Sequence, residues 1–517
     1  MDSLPDWLTP LLDAEQMRAV DRWAIDVRGV PSLDLMERAG AAVARTVERI
    51  APDGPVAVVC GKGNNGGDGL VVARLLREGS RRVTVVCTAP PGDFAGDARV
   101  NLDRLPGEAP IELTEERERA ERALAGATVI VDALLGTGFL GEPRGAVGEA
   151  VDAVNAGRAP GARVVSVDVP SGVDASTGVV AGAAVRAAIT LTFHAGKPGL
   201  WIAPGKAHAG EVETIEIGIP RGSPKDTKVG LIGPAVFDLL PRRSASSTKF
   251  LSGHVLLAGG SPGLTGAPRM AAHAAMRAGA GYVTAFIPAS LQTIIATAGP
   301  PELMTHGLAD EDGGLIAQGV DEVLTGTERG GALALGPGLG RSPGAFEFAR
   351  ELARRAQVAM VLDADGLNAH AGRLGDLASR QAPTVLTPHE GELGRLLEVD
   401  SQQIQAERLR HVREATALSQ AVVVLKGDDT LIAAPSGAVA VSPGGTPALA
   451  TAGTGDVLTG VIAALLAAGL EPFTAAAAGV WLHAEAGREA ARRQGANEGV
   501  VASDVIAALP AVRGGER

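Results

Sequence analysis

Short apolar runs alternate with helix-forming stretches in the first part of the chain. The runs lie at 56–60, 82–87, 128–135, 163–169, 188–193 and 212–218. Such alternation is typical of βαβ units, in which helices cover both faces of a mostly parallel sheet. Asp13 followed by Gln16 predicts the start of the first helix, because this spacing can form a capping box. The pattern predicts a three-layer α/β domain.

The alternation stops at 218–234, which is rich in glycine, proline and charge, and it resumes at His254. A chain of 517 residues is also too long for one ordinary core. We therefore predict an α/β fold in two tandem domains, residues 1–222 and 226–517. The second series of apolar runs lies at 254–258, 282–287, 332–336, 358–363, 384–387, 421–425 and 430–434.

Composition and charge exclude several classes of protein. A net charge of −12 argues against a nucleic-acid or anionic-membrane surface, since phosphate binding needs clustered cations. The longest apolar stretch, near 457–470, is too short to span a bilayer. The N-terminus lacks the basic-then-apolar pattern of a signal peptide, and two cysteines support neither a disulfide framework nor a metal cage. We expect a cytoplasmic protein with no nucleic-acid or membrane partner.

A glycine-rich loop follows the first apolar run, in the stretch VCGKGNNGGDGLVVARLL at 59–76. Residues 61–66 fit G-x-G-x-x-G between a strand and a helix, as in Rossmann-like dinucleotide sites. That fingerprint also requires an acid about 20 residues further on, and the next run ends at Cys87 without one. An ordinary nicotinamide cofactor site is therefore not predicted, and the function of Asn64, Asn65 and Asp68 has to be sought elsewhere.

Polar residues end three later strands of the first domain. Asp132 is followed by the loop 136–142, Asp168 by Ser171, and the last of these strands by Lys197. Ligands of open parallel sheets bind beyond the carboxyl ends of the strands, so one pocket can collect these residues. Glycine loops after strands are often only tight turns. Charges on apolar strands are costly unless paired or functional, and grouped oxygen atoms suit a hard monovalent cation.

The motifs GKGNNGGDG, VDALLGTG and VDVPSG together resemble the epimerase domain of the NAD(P)H-hydrate repair enzymes, over roughly residues 10–220. The resemblance implies hydrated NADH and NADPH (NADHX and NADPHX) as substrates, whose R and S epimers are interconverted. It implies potassium ligands Asn65, Asp132 and Ser171, with Asp168 handling the proton and Lys197 orienting phosphate. The implied hydrate contacts are Asn64, Asn65, Gly66, Gly67, Asp68, Gly136, Thr137, Gly138, Phe139, Leu140, Gly141, Glu142 and Asp168.

The second domain carries a glycine nest in ATAGTGDVLTG at 450–460. Gly453, Thr454 and Gly455 leave backbone N–H groups free for an anion, and the helix that begins there adds its positive dipole end. Asp456 in the first turn suits the base of a phosphoryl transfer, although a simple helix cap is the alternative. Lys426, in VVVLKGDDT at 422–430, suits nucleotide phosphates, and a solvated surface lysine is its alternative.

Further strand-end motifs are LTPHEGEL at 386–393, LALGPGLGRS at 333–342, LLAGGSPGLTGAPRMAA at 256–272 and VLDADGLNA at 361–369. His389 in the first of these can be a cap or face a ligand. From about residue 226 onward the set resembles the ribokinase-like fold and, within it, the ADP-dependent NAD(P)H-hydrate dehydratase. One departure is Thr248–Lys249, where the family pattern has a His-Lys pair.

This second resemblance implies phosphorylation of the hydrate hydroxyl by ADP, then loss of phosphate to give NAD(P)H. AMP and phosphate are the other products, and magnesium is the expected cation. Asp456 is the implied base. The implied hydrate contacts are Ala267, Gly338, His389 and Asp456, and the implied nucleotide contacts are Lys426, Gly427, Asp428, Asp429, Thr430 and Gly455.

Two alternative functions remain open at this point. A kinase for a vitamin precursor or sugar, with a non-catalytic dinucleotide-binding first domain, would use the same nest and aspartate. Alternatively, the first domain is a sensor or scaffold, although the presence of Asp132 and Asp168 speaks against this. The fused first domain and LTPHEGE favour a bifunctional repair enzyme, which we expect to be a homo-oligomer.

Overall fold

The computed structural model describes residues 4–224 and 226–514. The chain divides into two compact units, Pro10–Gly230 and the part from Leu231 onward, and the second unit also includes Pro5–Thr9. Both units are α/β, which confirms the predicted fold class of two tandem α/β domains.

The strands alternate with helices along most of the chain. The strands are β1 (Leu8–Pro10), β2 (Val56–Cys60), β3 (Val83–Cys87), β4 (Ile111–Glu112), β5 (Val129–Ala133), β6 (Arg163–Val167), β7 (Ile189–Phe193), β8 (Glu211–Ile215), β9 (Val229–Ile232), β10 (His254–Ala258), β11 (Tyr282–Pro288), β12 (Met304–Leu308), β13 (Asp310–Glu311), β14 (Gly314–Leu315), β15 (Ala332–Leu335), β16 (Ala359–Leu362), β17 (Thr384–Leu386), β18 (Val422–Leu425), β19 (Leu431–Ala433) and β20 (Val439–Val441). The α-helices are α1 (Ala14–Arg22), α2 (Ser32–Ile50), α3 (Asn64–Glu78), α4 (Gly96–Asp103), α5 (Arg117–Ala125), α6 (Gly145–Gly157), α7 (Lys206–Ala209), α8 (Gly266–Arg277), α9 (Gln292–Ala298), α10 (Val320–Thr327), α11 (Pro343–Arg355), α12 (Asp365–Asn368), α13 (Glu390–Leu397), α14 (Ser401–Ala406), α15 (Arg408–Ser419), α16 (Thr454–Ala467), α17 (Pro472–Gln494) and α18 (Ala502–Gly514).

The first unit is built on a seven-stranded sheet in the order β4-β3-β2-β5-β6-β7-β8. Its neighbouring strands are parallel throughout. Apolar residues form a core on each face, with Val58 and Val131 on one side and Val59 and Ile130 on the other. The strand order reverses between β2 and β5, and a crevice for ligands is expected at such a reversal.

The predicted elements of the first unit are confirmed. Each of the six apolar runs overlaps a strand of this sheet. The capping box is also present, because Asp13 accepts the N–H of Gln16 at 2.9 Å while the Gln16 side chain accepts the N–H of Asp13 at 2.9 Å. A π-helical turn, Trp23–Val27, continues α1 and was not predicted.

The second unit contains an eleven-stranded sheet in the order β1-β9-β20-β19-β18-β17-β16-β15-β10-β11-β12. The strands from β18 to β12 are parallel, whereas β18, β19 and β20 pair antiparallel. Helix α16 packs against α8 and against β15 and β16. This packing brings the N-terminus of α16 to the carboxyl ends of the central strands.

Each of the seven apolar runs of the second domain contains a strand. The segment 218–234, where the alternation stops, contains the strand β9, and the division between the two compact units falls inside it, after Gly230. The glycine at position 230 breaks the apolar run there, and the strand is short. Among the described residues, no helix combines the length and the apolar character needed to cross a bilayer.

Candidate active sites

A cavity of about 890 Å³ opens at the carboxyl ends of the first unit's strands. Its wall comes from the segments that follow β2, β3, β5, β6 and β7, and from helices α1, α2 and α3. Side chains that the sequence placed on separate motifs therefore meet in one pocket. Those in the wall are Asn64, Asn65, Asp68, Gly136, Thr137, Gly138, Phe139, Asp168 and Lys197.

The remaining residues of the predicted hydrate-contact set lie outside this wall: Gly66, Gly67, Leu140, Gly141 and Glu142. Two of them serve packing at the start of α3. A Cβ on Gly66 would lie 1.7 Å from the carbonyl oxygen of Gly61, and one on Gly67 would lie 2.7 Å from Met36 Cε. Leu140 is 71% exposed, so the tip of its loop faces solvent.

Asp168 lies directly after β6 and forms an ion pair with Lys197. The distance from Lys197 Nζ to Asp168 Oδ1 is 2.5 Å, and the same carboxylate oxygen accepts the N–H of Phe193 at 3.2 Å. The buried Lys197 ammonium also donates to Thr192 Oγ1 and to the carbonyl of Phe193, both at 2.9 Å. These three acceptors engage the ammonium, and the phosphate role of Lys197 stays a prediction.

The backbone at Asp168 is strained. Its φ is +67°, in the left-handed region that side-chain-bearing residues rarely adopt. A residue held in this way costs about 1–3 kcal/mol and persists only where its surroundings fix it. In this conformation the Asp168 carboxylate reaches Lys197 at the cavity wall, and its role in catalysis stays a prediction.

Two of the other four carboxyl groups in this wall, Asp68 and Asp21, have raised pKa values. Burial raises the pKa of Asp68 well above its usual value of 3.8, and the negative charges of Asp168 and Asp21 raise it further. Burial also raises the pKa of Asp21, an effect opposed by the Lys197 ammonium and reinforced by Asp168. The sequence analysis did not identify Asp21, because an acid on a helix gives no signal until the helix is placed over the pocket.

The three predicted potassium ligands converge behind the cavity. Asp132 is completely buried and accepts four hydrogen bonds, from Ser166 Oγ (2.8 Å), Ser171 N (2.9 Å), Ser171 Oγ (2.5 Å) and Leu134 N (3.3 Å). Burial raises the pKa of Asp132, and these hydrogen bonds only oppose the increase.

Asn65 approaches the same place from the start of α3. Its side-chain amide donates to the carbonyl of Leu135 at 2.8 Å, and Ser171 Oγ lies 3.5 Å from that same carbonyl oxygen. A Cβ on Gly136 would lie 3.3 Å from Asn65 Cβ and 3.7 Å from Asn65 Oδ1, so the loop at 136 packs directly against the Asn65 side chain. Carboxylate, hydroxyl, amide and carbonyl oxygens are thus grouped around 135–136.

In the second unit the N-terminus of α16 is open. Gly453 precedes the helix at φ +91°, and it makes no side-chain cap. The Thr454 hydroxyl donates to the carbonyl oxygens of Leu449 and Thr451, both at 2.9 Å. The first N–H groups of the helix therefore remain available to an anion, as the glycine nest predicts.

Lys426 lies beside this helix start at the centre of a charged cluster. A Cβ on Gly455 would lie 3.7 Å from Lys426 Nζ. The ammonium is 3.0 Å from Asp363 Oδ1 and 3.6 Å from Glu392 Oε2. The alternative of a solvated surface lysine is wrong, because Lys426 is enclosed by these partners.

Asp363 has a structural role, because its carboxylate is already engaged by neighbouring side chains. It accepts the hydroxyls of Thr387 and Thr459 at 2.8 and 2.7 Å, besides the Lys426 ammonium. Burial alone would raise the pKa of Asp363, but Lys426 and the two hydroxyls together lower it. Asp365, the other acid of that motif, pairs with Arg341 at 2.9 Å.

Asp456 differs from these acids. Among the described residues no hydrogen bond reaches its carboxylate, so it does not cap α16. Burial raises the pKa of Asp456 to about 7, with the charges of Asp363 and Glu392 adding to the effect and Lys426 opposing it. A carboxyl group with a pKa near neutrality and no structural partner is suited to acid–base chemistry.

The other predicted hydrate contacts of this unit are placed as follows. Gly338, at φ +63°, touches Ala267, because a Cβ on it would lie 3.2 Å from Ala267 Cβ. His389 caps α13, since its Nδ1 accepts the N–H groups of Gly391 (3.0 Å) and Glu392 (3.4 Å). The cap interpretation of His389 is therefore confirmed. Burial and the nearby Lys426 lower the pKa of His389.

A buried arginine that sequence reasoning missed shapes the loop 426–430. Arg408 is 1% exposed and donates to Asp429 Oδ2 at 2.9 Å and to the carbonyl of Lys426 at 3.2 Å, and it also pairs with Glu390. Asp428 accepts the N–H of Gly445 at 3.0 Å. Within the loop, Thr430 Oγ1 donates to the carbonyl of Gly427 at 2.6 Å.

The two units therefore define a class of protein: a two-unit α/β protein with a carboxyl-lined cavity at the switch point of its first sheet and, in its second unit, a helix start without a side-chain cap. Two family models match them. Residues 32–199 match the family described as "YjeF-related protein N-terminus", and residues 255–511 match "NAD(P)H-hydrate dehydratase".

Curated relatives match over nearly the full length. The bifunctional NAD(P)H-hydrate repair enzyme Nnr of Moorella thermoacetica is 42% identical over 97% of this chain and 96% of its own. The enzymes of the same name from Salinibacter ruber and Escherichia coli are 41% and 34% identical, over 97% and 96% of this chain and 96% and 92% of theirs. The chain belongs to the family of bifunctional NAD(P)H-hydrate repair enzymes.

Solved structures resemble the second unit. The ADP/ATP-dependent NAD(P)H-hydrate dehydratase of Bacillus subtilis, co-crystallised with ATP and Mg²⁺, is 31% identical over 54% of this chain and 94% of its own, with a TM-score of 0.46. A ribokinase-like superfamily protein of Enterococcus faecalis is 25% identical over 56% of this chain and 96% of its own, with a TM-score of 0.48.

Proposed function

We propose that this chain repairs hydrated NADH and NADPH in two steps. Residues 1–222 interconvert the R and S epimers of NAD(P)HX. Residues 226–517 dehydrate the S epimer at the expense of ADP, giving NAD(P)H, AMP and phosphate. The observation that carries the proposal is the presence, in one chain of this family, of a cavity holding the Asp168–Lys197 pair and of an unpartnered Asp456 at an open helix start.

The first cavity suits a dinucleotide. Its volume of about 890 Å³ lies in the upper range of ligand pockets, and the start of α3 presents backbone N–H groups where a phosphate can bind. Asp168, which the ion pair with Lys197 holds in place, removes a proton from the hydrate. Asn64, Asn65, Asp68 and the segment 136–139 bind the rest of the molecule.

Potassium fits the group Asn65, Asp132 and Ser171. The Asp132 carboxylate is buried and receives only neutral donors, so a monovalent cation would balance its charge. When bound, the ion would supply a fixed positive charge beside the start of α3. The protein's part is to hold the oxygen atoms together and to exclude water from them.

In the second unit Asp456 takes the proton of the hydrate hydroxyl as that oxygen attacks the β-phosphorus of ADP. The nest at 453–455 and Lys426 stabilise the charge that develops on the phosphoryl oxygens. Hydroxide, a poor leaving group, thereby becomes phosphate, which the lone pair of the ring nitrogen expels. Ala267, Gly338 and His389 bind the hydrate, and 426–430 with Gly455 bind the nucleotide.

Magnesium would enter this site on the nucleotide phosphates rather than on Asp363 and Glu392, whose oxygen atoms already accept bonds from neighbouring protein groups. Bound together with the nucleotide, it would offset phosphate charge. The Lys426 ammonium lies between these two carboxylates and keeps them oriented when no magnesium ion is bound.

The test mixes the pure protein with both epimers, ADP, Mg²⁺ and K⁺, and follows the return of reduced-nicotinamide absorbance. An enzyme with both activities consumes both epimers. An enzyme without epimerase activity consumes the R epimer only as fast as that epimer converts spontaneously to the S form. Consumption of neither epimer would overturn the proposal and would favour a kinase for another small molecule.

A further inference from the structure

Asp21 lines the first cavity, yet neither the sequence motifs nor the proposed chemistry gives it a role. It shares the cavity wall with Met17, Arg18 and Ile25. These positions are spaced as one face of a helix. The carboxyl group therefore belongs to the inner face of the α1 segment rather than to its solvent side.

The position of this helix is fixed on the loop that carries Lys197. Just before α1, the N–H of Leu12 donates to the carbonyl of Gly196 at 2.9 Å, and Leu11 forms a parallel bridge with Gly196. The N–H of Ala14 donates to Ser176 Oγ at 3.1 Å. Asp21 thus comes from a different element than Asp168 but lines the same cavity, on a helix attached to the loop of Lys197.

The chemistry of epimerisation requires two proton-handling groups. Inversion at the hydrated carbon needs one of its bonds to break and to form again on the other face. Its C–H bond is not acidic, because no carbonyl group adjoins it. Loss of its oxygen is the dehydration that the second unit drives by phosphorylation. The bond between this carbon and the ring nitrogen is therefore the one that must break.

Breaking that bond is balanced by two proton transfers. A base takes the hydroxyl proton, the oxygen forms a C=O bond, and the C–N electron pair goes to nitrogen, which receives a proton from an acid. The resulting open-chain aldehyde rotates, and nitrogen adds to its other face while both protons return. One carboxylate and one carboxylic acid must therefore be present together.

On the basis of the proposed function, we propose that Asp21 is the second catalytic residue of the epimerase, giving a proton to the ring nitrogen while Asp168 takes the hydroxyl proton. Asp168, paired with the Lys197 ammonium, is the base. Asp68 lies in the same wall, but it comes from α3, whereas the helix of Asp21 is attached directly to the loop that carries Lys197.

The pH dependence of epimerisation follows from these roles. The rate falls at high pH as Asp21, whose pKa burial raises, loses its proton. The charged groups that face the cavity from all its elements are Arg18, Asp21, Lys62, Asp68, Asp93, Asp97, Arg144, Asp168 and Lys197.

The experiment measures epimerisation of NAD(P)HX by chromatography, above the spontaneous background, from pH 5 to 9. Asp21→Asn should lower kcat by about 10²–10⁴-fold and remove the alkaline limb of the profile. Asp21→Glu should retain part of the rate and keep that limb. ADP-dependent dehydration of the S epimer by the same chain should stay at the parent level, and an unchanged melting transition of the first unit shows that the variant is folded.

Asp26→Asn is the matched control, because it removes one carboxylate from the same segment at an exposed position outside the cavity. It should leave both activities unchanged. An Asp21→Asn variant with parent kcat, or with a raised KM and an unchanged alkaline limb, would overturn the proposal. So would loss of the alkaline limb in Asp68→Asn but not in Asp21→Asn. Absence of epimerisation in the parent would instead overturn the proposed function.

Discussion

Asp456→Asn separates catalysis from structure in the second unit. The substitution keeps the shape of the side chain but removes the base. A missing general base costs about 10²–10⁴-fold in rate, or about 3–5 kcal/mol of barrier. We expect a loss of this size in ADP-dependent dehydration, while nucleotide binding is largely kept through Lys426 and the nest at 453–455.

The same substitution should stabilise the protein at high pH. The folded state raises the pKa of Asp456 from 3.8 to about 7, so the folded protein binds this proton more tightly than the unfolded chain does. The stabilisation from that proton is complete below pH 3.8 and is lost as the pH rises through 7. The difference between the two pKa values corresponds to on the order of 4 kcal/mol. Asparagine is neutral throughout and escapes this loss.

Two assays check the pair of expectations. Dehydration of the S epimer is followed at several pH values, and the parent rate should rise with pH towards 7 as Asp456 ionises. Calorimetry of the nucleotide-free proteins at pH 5 and pH 8 should show the variant gaining stability over the parent at pH 8. Asp504→Asn is the control, since Asp504 lies in the first turn of α18 and does accept the N–H of Val501 at 3.0 Å. Unfolding of Asp456→Asn with loss of both activities would show that Asp456 is structural, and dehydration at the parent rate would assign the base elsewhere.

Three more predictions concern the first unit. Asp168→Asn should abolish R-to-S conversion while the S epimer is still dehydrated, and near-normal epimerisation on chromatography would remove Asp168 from the mechanism. Potassium should raise the melting temperature of the first unit more than sodium does, by the equivalent of about 2.7 kcal/mol at 100 times its Kd. Asp132→Ala should lose that response, and an unchanged response would place the cation elsewhere. Gly66→Ala should cost about 1–3 kcal/mol or more by overpacking, whereas Gly63→Ala should be mild, because nothing lies within 4 Å of its added Cβ; equal urea midpoints would contradict this.

Most of the strands that were predicted correctly lie in the interior of the sheets, although β8 is an edge strand. Strands such as β2 and β15 are buried at every position and read as unbroken apolar runs. Edge strands lack this signature. β12 alternates between exposed and partly buried residues and contains His306 and Gly307, and β4 has only two residues. Such strands are defined by the neighbour they pair with, which the local sequence does not reveal.

The site residues that could be predicted are the charged residues that stand within recognisable sequence motifs. Asp168 and Asp456 stand beside glycine-rich turns that local sequence displays, and the comparisons confirm the repair-enzyme family over the small-molecule kinase. Residues that act through distant partners gave no such signal. The charge of Lys197 acts on Asp21 only after the first sheet has formed, and Arg408 donates a hydrogen bond to Asp429 only after α15 has packed.

The left-handed backbone of Asp168 bears on how this enzyme would respond to selection in the laboratory. Glycine adopts that conformation without strain, so Asp168→Gly removes a cost of about 1–3 kcal/mol. The same change leaves the buried Lys197 ammonium without its carboxylate, which costs about 3–5 kcal/mol. A library screened for the dehydratase reaction alone places no requirement on this pair, so a joint replacement of Asp168 and Lys197 would relieve both costs and lose the epimerase without notice. Thermostable variants of this chain therefore have to be selected on the R epimer, because only that substrate makes survival depend on the strained residue.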